Sequence, residues 1–382
     1  MSRRTLLQGA LASTVLAVTG AGTFSLPALA ASYGPRSISR VGDYGYPPDH
    51  LNYRMWNFSS GTTLSAALAK MGPNDCLVLP ERTAPYLIDT SRGFGYPGTS
   101  SAMARVKGGI YGMGPGAVIQ YAPSGFSQGR ASGNEGNINR VLECYTPGAY
   151  FGNFTMRGRS LGGCGFDAIK AMGNNTVFEN LRFVGAHRGW RNSPPGETAA
   201  ISTLNGRGMA IRNVEIDCRN ANGARVGTSP LMLNQQAGIT VTDVWAHHSL
   251  AGGVSGWRLD NATLRRVRSE HNGSSTGSLN GNAFNFEQST GTILLDRCTF
   301  VCDYGPTSAG GSGNTGVHLA VGSYFPNPAR IRVVSPANDR GPYRGAFAVH
   351  MSRVYGGTTQ TYAPSLIRVV NSSGSPLAWK HN

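Results

Sequence analysis

The sequence predicts an all-β chain wound as a right-handed parallel β-helix with a short N-terminal capping helix. Three observations carry that expectation. Strand-like segments realign every 22 to 33 residues, the alternation inside each has period two rather than 3.6, and Gly, Asn and Ser follow each one. The segments are 174–187, 208–220, 238–249, 261–273 and 291–303. One such segment cannot bury its apolar face alone, whereas a stack of them can.

In chain order, residues 1–30 come first and read as an export signal. Ser2-Arg3-Arg4-Thr5-Leu6-Leu7-Gln8 is a charged start, Gly9 to Val18 a mildly apolar run, and Pro27-Ala28-Leu29-Ala30 a small-residue cleavage site before Ala31. The paired arginines resemble the twin-arginine export signal, with Leu6 where that class often carries Phe. An ordinary secretory signal is the alternative, and either one implies a secreted, extracellular protein. No stretch is long and apolar enough to span a bilayer. Residues 31–60 form an N-terminal extension, and 61–382 a single solenoid domain.

Within 61–86, Leu64, Ala67 and Leu68 line one face of a short helix. Gly72-Pro73-Asn74-Asp75 then turns, and a strand begins at Cys76 to Leu79. A helix here covers the open end of the stack, which otherwise exposes unpaired backbone. Further coils run through Ala117 to Gln120 and Ala149 to Phe154, interrupted by the polar insertion 122–138. A second strand opens each later coil, at 230–234, 256–260, 283–287, 316–320 and 346–350. The longer connections all follow the first-named strands, so they form a wall of loops beside one groove suited to a chain-like ligand.

The formal charge is +15, and removing Arg3 and Arg4 with the signal leaves +13. Nearly all of it is arginine, since only Lys70, Lys107, Lys170 and Lys380 are lysines. Arginine suits carboxylates, sulfates and phosphates, although a GC-rich genome also yields such a bias. Scattered charge on an exported chain argues against nucleic acid and favours an anionic polysaccharide. Six cysteines permit disulfides, but Cys298 and Cys302 are too far apart along one strand to bridge. Buried free thiols are expected.

Register locates the candidate chemistry. Leu181, Val214, Val244, Val267 and Cys298 form one inward column, and Phe183, Ile216, Ala246, Ser269 and Phe300 the next. Alternation then puts Asp217, His247 and Glu270 in one outward row, the carboxylates about 9.6 Å apart with the imidazole between them. That row suits acid–base chemistry on a glycan. It is equally a cross-strand polar ladder. Arg219, Ser249, Asn272 and Asp303 also fall outward, placing Arg219 to hold an anion. Cys218, His248, His271 and Cys302 fall inward. As four ligands on four coils they spread too far to converge on one metal, so neither a metal nor a cofactor is expected. On the other strand, Asn234, Arg258, Asn285, Glu287, His318 and His350 face outward. Arg258, Asn285, Glu287 and His318 make a second, substrate-binding cluster, and Trp245 is an aromatic surface for stacking a sugar ring.

The helix–turn–strand start at 61–86, followed by these coils, resembles the pectate-lyase-like β-helix superfamily, and also β-helix proteins of actinobacterial phages. The resemblance covers most of the mature chain in architecture and little of it in motif. Val244-Trp245-Ala246-His247-His248 is similar to the Trp-Ile-Asp-His segment of pectate lyases, with Ala for Ile and His for Asp. The paired aspartates and Gly-His-Gly of polygalacturonases do not occur. The resemblance therefore implies a polysaccharide-processing rod without supplying its catalytic residues. Two functions follow. One is a secreted glycoside hydrolase or polysaccharide lyase using Asp217, His247 and Glu270. The other is a non-catalytic glycan-binding or phage-tail-derived adhesion module, with a homotrimer as its assembly.

Overall fold

The computed structural model describes residues 23–25, 54–88 except 60 and 61, 102–121 except 115, 139–158, 166–185, 199–219, 223, 225, 229–249, 252–273 and 282–302. It also describes the strands Val317–Gly322, Arg330–Val334, Val349–Tyr355, Ile367–Val370 and Trp379–His381. The insertion 122–138 and the loops 192–198, 303–314 and 338–345 lie outside the described residues, as does the loop 272–282 apart from its ends. So do Trp190, Tyr304, Tyr324 and Tyr343.

The backbone is a parallel β-helix, as the alternation predicts. One face is a ten-stranded parallel ladder running from Ala102–Val106 through Phe166–Ala171, Ile201–Leu204, Leu231–Asn234, Val254–Trp257 and Phe284–Glu287 to Trp379–His381. The other two faces join into one sheet because Val177–Val184, Ala210–Asp217 and Ala237–His247 continue through the corner between them. Before the corner these strands pair onward to Asp260–Arg265 and Thr290–Asp296; after it, to Arg268–Asn272 and Thr299–Cys302. The first of these faces reaches back to Arg54–Asn57, which pairs parallel with Asp75–Leu79. Thr23–Ser25, within the segment read as an export signal, lies antiparallel against Arg54–Asn57.

The corner has a physical cause. Asn153, Asn180, Asn213, Asp243, Arg266 and Arg297 all adopt left-handed backbone, with φ between 51° and 62°. Asparagine and aspartate tolerate that conformation better than other non-glycine residues. They also stack: Asn180 Nδ2 donates to Asn153 Oδ1 at 2.9 Å, and Asn213 Nδ2 donates to Asn180 Oδ1. Higher up, Arg266 clamps Asp243 with two bonds of 2.6 Å.

Inside, side chains in register form columns along the axis. Phe178, Ile211, Val241, Leu264 and Leu295 make one, and Leu181, Val214, Val244, Val267 and Cys298 another, all buried. Burying each large apolar side chain contributes about 1.5–3 kcal/mol. The capping helix is Leu64–Lys70, with Thr63 Oγ1 accepting from Ala66 N at 3.2 Å and Leu64 and Leu68 buried against the first coils. Cys76, Cys144, Cys218 and Cys298 are buried free thiols. Among the described residues no helix is long and apolar enough to cross a membrane.

Candidate functional site

The second face of the joined sheet places the expected row in register. Asp217 pairs with His247, and His247 with Glu270. The phase follows from the columns beneath, where Phe183, Ile216, Ala246, Ser269 and Phe300 are all buried. Ser269 sits in that apolar column because its hydroxyl donates to the Ala283 carbonyl at 2.7 Å.

Solvent access departs from the expectation. His247 is only 1% exposed, although its row faces away from the core. Two aromatic groups cover it. The Trp245 indole stacks on its ring at 4.0 Å between centroids, and His248 meets its edge at 4.9 Å, with His271 stacked on His248 in turn. His247 is therefore covered by its neighbours instead of open to solvent.

His248 and His271 were expected inward, and both point outward. Their φ values of 60° and 57° are left-handed, which reverses the alternation at that residue. The reversal carries onward. Ser249 and Asn272, expected outward, are buried at 0% and 4% exposure. Asn272 Nδ2 donates to Ala246 O and Ser269 Oγ, while its Oδ1 accepts from Ser249 N at 2.9 Å. Asp303 lies outside the described residues.

The two carboxylates of the row each belong to an arginine. Arg219 forks onto Asp217, with Nε 2.9 Å from Oδ1 and Nη2 2.7 Å from Oδ2. Arg268 forks onto Glu270 at 3.1 and 2.8 Å, and Trp245 Nε1 adds a bond of 3.0 Å. Burial would raise the Asp217 pKa, but hydrogen bonds from the Arg219 side chain and backbone, and the charge of His247, hold it below the usual carboxylate range. The Arg268 guanidinium also lies 4.6 Å from the centre of the Trp245 ring. Asp217 is thus a fixed anion, without the raised pKa of a general acid.

Glu215 completes the site. It is two residues before Asp217, in an outward row with Arg182, Trp245 and Arg268. Its Oε1 lies 3.5 Å from His247 Nε2, and its Oε2 lies 3.2 Å from Arg182 Nε. On the other edge of the His247 ring, Nδ1 is 2.6 Å from His248 Nδ1. His247 Nε2 makes no hydrogen bond at this distance, but the facing carboxylate favours the tautomer with the proton on that nitrogen. His247 Nδ1 then accepts from His248 Nδ1–H, and the other nitrogen of His248 keeps its lone pair. Burial first, then the charges of His247, Arg219 and His271, lower the His248 pKa to about 4, against the pull of Asp217. It is a neutral imidazole at pH 7.

The second cluster assembles only in part. Arg258 meets Glu287 through the backbone, its N–H donating to the Glu287 carbonyl at 2.8 Å. Its left-handed backbone (φ 54°) turns it toward Gln288 Oε1 at 3.3 Å, and its guanidinium lies 4.2 Å from the Trp257 ring centre. Glu287 is opposite Trp257 and accepts from Asn285 Nδ2 at 2.9 Å. His318 shares the row of Asn285 rather than that of Glu287, and its side chain lies outside the described residues. That row continues down the ladder to Ser202, Lys170 and Glu143, all buried, with Lys170 Nζ donating to Ser202 Oγ at 3.0 Å.

No protein-family model and no curated protein matches this sequence. Solved structures similar to it include pectate lyase Pel9A, at 14% identity and TM-score 0.45, with 83% of this chain and 73% of that one covered. Another is the catalytic domain of a GH87 α-1,3-glucanase in complex with nigerose, at 11% identity and TM-score 0.25, covering 90% and 70%.

Proposed function

We propose that the chain is an exported enzyme that cleaves an acidic polysaccharide by β-elimination, with His248 as the base. The contact sequence Glu215, His247, His248 carries this reading. It ends in a half-buried imidazole, neutral at pH 7, beside the Asp217–Arg219 pair. A hydrolase of the two-carboxylate kind needs one carboxyl held protonated near neutral pH. Here Asp217 is held as an anion and both row carboxylates are engaged by arginine forks, which favours elimination.

In the reaction, His248 Nε2 takes the proton from the carbon next to the uronate carboxylate. The electron pair left behind forms the carbon–carbon double bond, and the glycosidic carbon–oxygen bond breaks. The leaving oxygen takes a proton from water. Charge builds on the uronate carboxylate, and Arg219, 42% exposed, supplies a guanidinium to neutralise it. Asp217 keeps that guanidinium oriented. Glu215 and His247 act as positioning residues that set the tautomer of His248.

The test is incubation of the full chain, purified after export, with polygalacturonate, alginate and envelope glycans. Elimination gives the ultraviolet absorbance of an unsaturated uronate, and His248→Asn abolishes it while keeping the fold. Reducing ends formed without that absorbance would mean hydrolysis. Binding without any cleavage would mean an adhesion module.

A further inference from the structure

The same contact that orders the two imidazoles suits a metal ion. His247 Nδ1 and His248 Nδ1 are 2.6 Å apart, and Asp217 Oδ1 lies 3.8 Å from the first. These three atoms all fall within 4.8 Å of one another. Consecutive strand residues ordinarily face opposite sides, so the two rings meet only because His248 is left-handed. Such a backbone is strained for a histidine and persists where its surroundings impose it.

Both rings are backed before any ligand arrives, but two nitrogens on one tetrahedral zinc stand roughly 3.3 Å apart, so the Nδ1 atoms must part by about 0.7 Å to admit the ion. Trp245 stacks on one face of His247, His271 stacks on His248, and Glu215 stands behind His247 Nε2. A carboxylate behind an imidazole is the usual outer support of a metal-ligating histidine, because it leaves the opposite nitrogen as the donor. Two imidazole lone pairs this close repel unless something electropositive lies between them, either a proton or a metal cation.

We infer that Asp217, His247 and His248 form a binding site for a divalent transition metal. Two imidazole nitrogens and one carboxylate oxygen select zinc and its neighbours over calcium or magnesium, which prefer oxygen donors. Three protein ligands leave a position open. Asp217 Oδ1, which accepts from Arg219 N at 3.0 Å and Nε at 2.9 Å, exchanges one of those bonds for the metal, while Oδ2 stays on Arg219 Nη2 at 2.7 Å. The metal displaces the proton between the two Nδ1 atoms, which is the one proton of the neutral His248 ring; that proton passes to His248 Nε2, and the ring can no longer accept one there. A filled site and a working base therefore exclude each other. The inference shares its residues with the proposed elimination but stands on donor geometry, independent of that activity.

Isothermal titration of the chelator-dialysed full chain with zinc chloride, and separately with calcium chloride, tests it. One zinc ion per chain and no calcium response are expected. His248→Asn, which tolerates left-handed backbone, should weaken zinc binding about 100-fold or more, and Asp217→Asn about 10-fold. Cobalt(II) in place of zinc should give the visible absorbance of a low-coordinate site, lost in His248→Asn. No zinc binding, equal affinity for calcium, or affinity unchanged in both variants would overturn the site. Cleavage without zinc binding would sink the metal site and leave the elimination standing; zinc binding without cleavage would do the reverse.

Discussion

Replacing Asn213 by glycine and by alanine separates two contributions of the asparagine corner. The side chain is buried, left-handed at φ 52°, and donates to Asn180 Oδ1. Either replacement removes a hydrogen bond worth about 1 kcal/mol and leaves Asn180 Oδ1 without that donor, at a cost of about 1–3 kcal/mol. Removing Asn213 Oδ1, itself buried without a hydrogen-bond partner, returns part of this. Glycine should therefore destabilise by roughly 1–3 kcal/mol. Alanine adds a β-carbon to a left-handed residue, about 1–2 kcal/mol, against roughly 0.5–1 kcal/mol for the extra unfolded-state freedom of glycine. Alanine should fall below glycine by roughly 0.5–1 kcal/mol. Urea unfolding followed by circular dichroism measures this, provided the three proteins share one m-value. Alanine as stable as glycine, or both variants within about 0.5 kcal/mol of the parent, would refute the account of the corner.

Three further outcomes follow from the site and the core. In chelator, stability should fall as pH drops from about 6.5 toward 4, because the unfolded chain protonates His248 before the folded one does; urea midpoints at several pH values should show a flatter dependence in His248→Asn. Asp217, with its pKa depressed, contributes in the same direction at lower pH, its stabilisation being lost as pH falls below about 3.8. Arg219→Gln should lower kcat/KM for a uronate polymer about 100-fold or more, with Arg219→Lys between it and the parent, in steady-state assays. Cys144 and Cys298, whose thiols burial pushes up to about 11 and about 12, should resist iodoacetamide in the native protein and react in urea, as read by peptide mass mapping.

The phase of the solenoid was legible because apolar columns such as Leu181, Val214 and Val244 admit only one register once they are buried. Asp217, His247 and Glu270 fell into line for the same reason. Glu215 was equally legible, since it obeys the same alternation two residues earlier. The outward turn of His248 was not. Histidine is, like asparagine, enriched in left-handed backbone, but nothing in the sequence marks which histidine adopts it, and alternation alone sends His248 inward. The burial of His247 was likewise invisible, because it depends on where the Trp245 indole lies.

A stack of near-identical coils risks closing with one coil left out. The corner column opposes that error, because its residues change along the axis from three asparagines to an aspartate and then arginines. If the coil of Asp243 were skipped, Arg266 would land on Asn213, with no carboxylate there to receive its fork. Misassembly thus forfeits a charge pair at a defined storey, and the molecule's order of winding is written in its own spine.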